Sequence, residues 1–147
     1  LRDDGRPLYD SRVIAEYLDT FGDPRLIFAD DEARIETKRW ESLADGVSDA
    51  AAAIFLERKR VATEQSWIAR QQLKIDRGLA AMARELGAGS WCVKEQYSLA
   101  DIAVGCALGY LDLRFSEIDW RRAHPVLAEL WRRLATRPSF AATTPPG

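Results

Sequence analysis

The chain has 147 residues, of which 47% are hydrophobic and 30% charged, with 21 Lys+Arg against 23 Asp+Glu for a net charge of −2. This is the length of one ordinary domain, with enough apolar content to bury a core. The balanced charge and the lack of a basic block argue against nucleic acid as the main partner, and no apolar run approaches the ~20 residues of a membrane helix.

Asp3-Asp4-Gly5 is a turn signal. Leu1-Arg2 reads as the end of one strand and Arg6-Pro7-Leu8-Tyr9 as another, so the opening predicts a hairpin. Pro7 has no N–H for a ladder, which puts its strand at an edge or a start. Asp10 or Ser11 then caps a helix whose Val13, Ile14, Tyr17 and Leu18 recur at helical spacing. A strand feeding a polar helix N-terminus is a ready anion site. Phe21-Gly22-Asp23-Pro24 stops this helix, and residues 23–30 read as a linker.

A long helix is predicted from about residue 31 to 58, with Trp40, Leu43, Val47, Ala51 and Ile54 as its apolar stripe. Asp45 and Asp49 fall on the opposite side at roughly 100° per residue, among Ser42, Gly46, Ala52 and Ala53. A second long helix runs from about residue 63 to 86 on Ile68, Ile75, Leu79, Met82 and Leu86, and Gly87-Ala88-Gly89 ends it.

The third helix opens with the strongest local signature. Ser98-Leu99-Ala100-Asp101 fits a capping box, with Tyr97 and Ile102 placed for a hydrophobic staple. Residues 102–111 are apolar on every face, the pattern of a buried core helix, and Gly105 and Gly109 allow close packing. Cys106 within it reads as a small hydrophobe. A last helix begins at His124-Pro125, carries Val126, Leu127, Leu130, Trp131 and Leu134, and stops at Arg137-Pro138. His124, the single histidine, reads as a helix-start residue rather than a base. Cys92 and Cys106 have no metal or redox spacing, and such sparse cysteine usage suits a reducing, cytoplasmic compartment. The sequence contains no Ser/His/Asp set, no Cys/His pair, no metal spacing and no Gly-rich phosphate loop.

Taken together, residues 4–18 (Asp-Gly-Arg-Pro-Leu-Tyr-Asp-Ser-Arg-Val-Ile-Ala-Glu-Tyr-Leu), the long helical segment, Tyr97 to Ala103 and the closing Arg137-Pro138-Ser139-Phe140 resemble a bacterial-type glutathione S-transferase. The resemblance covers the whole chain. It implies a mainly all-α fold: residues 31–147 as the helical C-terminal domain, joined by the 23–30 linker to residues 1–22. Those would be the remnant, hairpin plus helix, of an α/β thioredoxin-like N-terminal domain. A lone hairpin is marginal in water and needs its sheet.

The resemblance also implies roles. Asp10 and Ser11 would bind the γ-glutamyl end of glutathione, the co-substrate, with no metal involved. Ser11 would offer its hydroxyl and N–H to the carboxylate, and Asp10 would face the α-ammonium. The activating Tyr, Ser or Cys and the cis-Pro of the family map onto no residue here, so the chain alone is expected to be inactive. The protein would join the glutathione thiol to small apolar electrophiles lying over the first long helix and the third, with Asp49 and Tyr110 as candidates for the electrophile pocket. The side bearing Asp45 and Asp49 would line the inter-domain cleft or a subunit interface. A homodimer on the two long helices is expected, with no nucleic-acid or membrane partner. The alternative is a non-catalytic binding or assembly module of the same fold.

Overall fold

The computed structural model describes residue 2 and residues 4–145. Leu1 and Asp3, part of the expected hairpin, lie outside the described residues. The turn closes as the sequence suggests: Arg2 N–H donates to the Arg6 carbonyl at 2.9 Å and Gly5 N–H to the Arg2 carbonyl at 2.8 Å. Gly5 sits at φ +78°, where a side chain would be strained. The expected strand does not form, and residues 6–9 are irregular. Among the described residues no strand lies beside residues 6–9, and an unpaired strand leaves its amides to water. Among the described residues the β-pairing is one isolated bridge, Val93 to Gln96.

Seven helices follow among the described residues: α1 Ser11–Asp19, α2 Asp31–Glu57, α3 Gln65–Leu86, α4 Leu99–Arg114, α5 Trp120–Ala123, α6 Pro125–Ala135 and α7 Pro138–Ala142. The Asp30 side chain accepts the Ala33 N–H at 3.0 Å and caps α2, whose first turn adds Asp31 and Glu32 at the positive end of the helix dipole. Gly87, at φ +52°, turns the chain out of α3.

The core is made by α2, α3, α4 and α6. Trp40, Ala44, Val47, Ala51 and Ile54 of α2 meet Ile75, Leu79 and Met82 of α3 and Val104, Leu108 and Leu111 of α4, with Leu127, Leu130 and Leu134 of α6 closing the end. At the α2–α3 crossing the two backbones come so close that a Cβ at Gly78 would overlap the Val47 side chain.

α4 departs from the expected all-round burial. One side is buried through Ala100, Val104, Ala107, Leu108 and Leu111, while Cys106 is exposed and Ile102 and Tyr110 are only half-covered. Cys106 is therefore not a core hydrophobe. Nor had the sequence pattern revealed α5 and α7. Asp119 caps α5 by accepting the Arg122 N–H at 3.2 Å, and Trp120 anchors it in the core. α7 starts on Pro138 and lays Phe140 against α4.

α1 stands apart in character: it buries no side chain. Val13, Ile14, Leu18 and Phe21 are exposed, so its apolar face turns away from the helical bundle.

Candidate functional site

Two places are candidates for a site: the N-terminus of α1 and an apolar cleft on α4. At α1 the cap is Asp10, whose Oδ1 accepts the Arg12 N–H at 3.2 Å, and Ser11 takes the first helical position, exposed. The first-turn N–H groups of a helix have no intrahelical acceptors and carry the positive end of the dipole, so an anion placed there is stabilised by typically 0.3–1 kcal/mol.

The seam between α1 and α2 is polar. Arg12 Nε donates to Asp45 Oδ2 at 2.8 Å, and Lys38 lies 2.5 Å from Glu41 and 4.0 Å from Glu16. The paired carboxylate of Asp45 raises the pKa of Arg12, first through the hydrogen bond and then through its charge. Asp45 thus faces α1, whereas Asp49, one turn further on, is exposed.

The cleft has a volume of about 600 Å³. Ile102, Cys106, Tyr110 and Leu113 of α4 form its floor, Trp131 of α6 and Phe140 of α7 one wall, and Thr143, Thr144 and Pro145 part of the rim. The two glycines of α4 shape it. A Cβ at Gly105 would lie 2.6 Å from the Phe140 ring and one at Gly109 3.0 Å from the Trp131 ring, so only bare backbone lets these aromatics seat against the helix. At the far end Tyr97 sits under the Arg137 guanidinium, 3.5 Å from ring centroid to Cζ.

Cys106 opens onto this cleft. Desolvation by its surroundings pushes the thiol pKa up, and the negative charge of Asp45 pushes it further. The thiol is therefore held in its less nucleophilic form.

Ser98 and Asp101 are fully buried and form a capping box at the start of α4. Asp101 Oδ2 accepts the Ser98 N–H at 2.8 Å and hydroxyl at 3.0 Å, and its Oδ1 accepts the Cys92 N–H at 2.8 Å. Both carboxylate oxygens are engaged by local donors, which makes this a folding device. Among the described residues no group of three His, Cys, Asp or Glu could hold a metal ion, and no helix is long and apolar enough to cross a membrane.

Of the two electrophile-pocket candidates, Tyr110 lines the cleft and Asp49 does not. The reason is architectural: α4, α6 and α7 build the cleft, not α2. Sequence reading missed Trp131, Phe140 and Tyr97 as cleft residues and Arg12 as the partner of Asp45. In the sequence Trp131 belongs to the apolar stripe of the last helix and Phe140 to the closing Arg137–Phe140 segment. The last pair is 33 positions apart, beyond any local pattern.

The chain belongs to the glutathione S-transferase family. The model of the glutathione S-transferase C-terminal domain matches residues 65–133. The GST-like protein YibF of Escherichia coli K12 is 35% identical over 147 residues, spanning 98% of this chain and 72% of that protein. Among solved structures, a glutathione S-transferase from Methylobacillus flagellatus KT with glutathione bound superposes with a TM-score of 0.94 at 47% identity, over 97% of this chain and 72% of that one. One from Methylobacterium radiotolerans, in complex with glutathione sulfonate, gives 0.93 at 42%, over 100% and 71%.

Proposed function

We propose that the protein is a glutathione transferase that joins the thiol of glutathione to small apolar electrophiles, with glutathione held at the α1 N-terminus. The observation that carries this reading is the exposed Ser11 at the first position of α1, beside the Asp10 cap, in a chain that shares 42–47% of its residues with solved relatives holding glutathione or its sulfonate.

The γ-glutamyl carboxylate of glutathione would accept the Ser11 N–H and hydroxyl at the positive end of the helix dipole. Asp10 spends Oδ1 on the Arg12 N–H and keeps Oδ2 for the α-ammonium. Residues 1–22 are then part of a thioredoxin-like glutathione-binding unit. Its sheet would cover the apolar face that α1 turns away from the bundle.

The group that activates the thiol lies in the part of the relatives' pattern that this chain does not match. Its task is to favour the thiolate, which forms the new C–S bond as the electrophile's leaving group departs or its double bond takes the electron pair. The cleft supplies the second subsite. Its aromatic walls suit a flat apolar molecule, and Tyr110 combines a large ring with a hydroxyl that can orient a polar substituent.

Two copies are proposed to pair across α2 and α3. Ser42, Gly46, Lys74, Arg77 and Gly78 line an open groove there, and a Cβ at Gly46 would meet nothing within 4 Å. The setting is the cytoplasm.

Conjugation tests the reading. The full-length gene product should transfer glutathione to 1-chloro-2,4-dinitrobenzene or to another apolar electrophile in a small panel. A protein that binds glutathione and conjugates none of the panel would instead fit a binding module.

A further inference from the structure

Two cations of this chain rest on one aromatic ring with no carboxylate to neutralise them. Lys59 Nζ lies 4.1 Å from the centroid of the Phe55 ring, and Arg114 Cζ lies 4.9 Å from it. Lys59 and Arg114 are exposed, while Phe55 is half-buried and packed on the core. The cations around them are paired: Arg58 with Glu117 at 2.8 Å, Arg60 with Glu57 at 3.3 Å, and Arg121 with Asp112. Among the described residues no carboxylate oxygen lies within 4.0 Å of the Lys59 or Arg114 charge. A cation on a ring face is held by the ring quadrupole and keeps its charge available to a second partner. Two such charges on one ring raise a local positive potential that attracts an anion.

The place of this pair in the fold gives the anion a context. α2 and α4 run alongside each other in the same direction. At one end Leu99 N–H, opening α4, donates to the Leu26 carbonyl ahead of α2 at 2.9 Å. At the other end Arg58, just past α2, lies over the Phe115 ring, just past α4, at 5.1 Å. Phe55 belongs to that second end. Asp45, which holds Arg12 beside Ser11, is about 15 Å back along α2 at 1.5 Å per residue. On α4, Tyr110 and Leu113 line the apolar cleft, and Arg114 is one helical turn past Tyr110 on the same face. The apolar floor of the cleft therefore leads toward positive charge.

We infer that the electrophile carries an anionic substituent, a carboxylate on a flat apolar body, and that Lys59 and Arg114 bind it. This rests on the reading above of a glutathione transferase whose electrophile lies over Tyr110. Lys59 and Arg114 are specificity residues: they select a charge remote from the reacting carbon. In 4-chloro-3-nitrobenzoate, for example, the carboxylate is across the ring from the carbon that reacts. The glutathione thiol gives its proton to solvent, and the thiolate forms a C–S bond at the carbon bearing chlorine. Chloride leaves with the C–Cl electron pair, so the reaction needs no oxidant or reductant.

The test compares 4-chloro-3-nitrobenzoate with the neutral 4-chloro-3-nitrobenzamide, using the full-length protein at saturating glutathione. Each kcat/KM is divided by the uncatalysed rate with glutathione, which leaves the discrimination made by the protein. The parent should prefer the benzoate by about threefold or more, and Arg114→Gln and Lys59→Gln should each lower that preference about twofold to fivefold, the effect of losing one exposed ion pair. Arg114→Lys, which keeps the charge, should retain the preference. Raising the salt from about 0.05 M to about 0.5 M should remove most of it through screening. General damage to the fold would lower both substrates together and leave their ratio alone. A parent that conjugates the benzamide or other panel electrophiles without favouring the benzoate would overturn this inference and leave the transferase reading standing. A preference that survives both Gln substitutions would also overturn it. A parent that conjugates no electrophile at all would overturn both.

Discussion

A buried carboxylate, Asp101, and an exposed thiol on the cleft floor, Cys106, give the predictions at the residue scale. The Asp101 carboxylate accepts three hydrogen bonds while fully buried. Asp101→Ala removes all three and leaves the Ser98 and Cys92 N–H groups without acceptors. Each orphaned buried donor costs about 1–3 kcal/mol, so the substitution should lower stability by about 3 kcal/mol or more, well beyond the ~1 kcal/mol of an ordinary cap. Urea denaturation checks this, and a loss near 1 kcal/mol would show that the Cys92 bond counts for little. Cys106 gives the second prediction. Its pKa is raised by desolvation and then by Asp45, so at pH 8 less of it is thiolate than of an unperturbed thiol, and alkylation by iodoacetamide should be slow and quicken as pH rises. Asp45→Asn removes a negative charge, lowers that pKa and should speed the reaction at pH 8. An unchanged rate would separate Asp45 from the cleft thiol.

The elements differ in how far local sequence determines them. Gly105 makes the point experimentally. Because a Cβ there would lie 2.6–2.7 Å from Phe140 ring carbons and 2.9 Å from Leu134 Cδ1, Gly105→Ala should push α7 outward and cost about 1–3 kcal/mol through overpacking, despite alanine's better helix propensity. A stabilised variant in urea denaturation would show that α7 moves freely. The same contact explains why α7 was not legible: its five residues are held by Phe140 finding Gly105, a tertiary event. α5 has only four residues and rests on the Asp119 cap and the burial of Trp120. By contrast α2, α3 and α6 each bury a stripe at helical spacing, which periodicity shows directly. The strand expected at residues 6–9 failed for the opposite reason, since a strand pattern has meaning only beside a partner. α4 was half legible. Its apolar run announced a core helix, but nothing local told that Ile102, Cys106 and Tyr110 face a cleft formed by residues 20 to 40 positions further on. At the candidate site, the Asp10-Ser11 helix start was visible from residue type, while the Arg12–Asp45 pair was not.

The described residues form a helical bundle that leaves exposed the apolar face of α1 and an open groove over Gly46 and Gly78. Pairing of two copies across that groove is the symmetric solution most common among oligomers. Sedimentation of the full-length protein at micromolar concentration should give a dimer, and a bulky, charged Gly46→Glu should shift it toward monomer. A monomeric parent would contradict the pairing. The central claim, however, is that glutathione sits on the N-terminus of α1, and calorimetric titration of glutathione into the full-length protein and its Ser11→Ala variant tests it most directly. The account predicts measurable binding by the parent and an affinity lowered by about 1.5–3 kcal/mol in the variant, the worth of a hydrogen bond to a charged group. Equal affinities for the two proteins would contradict it.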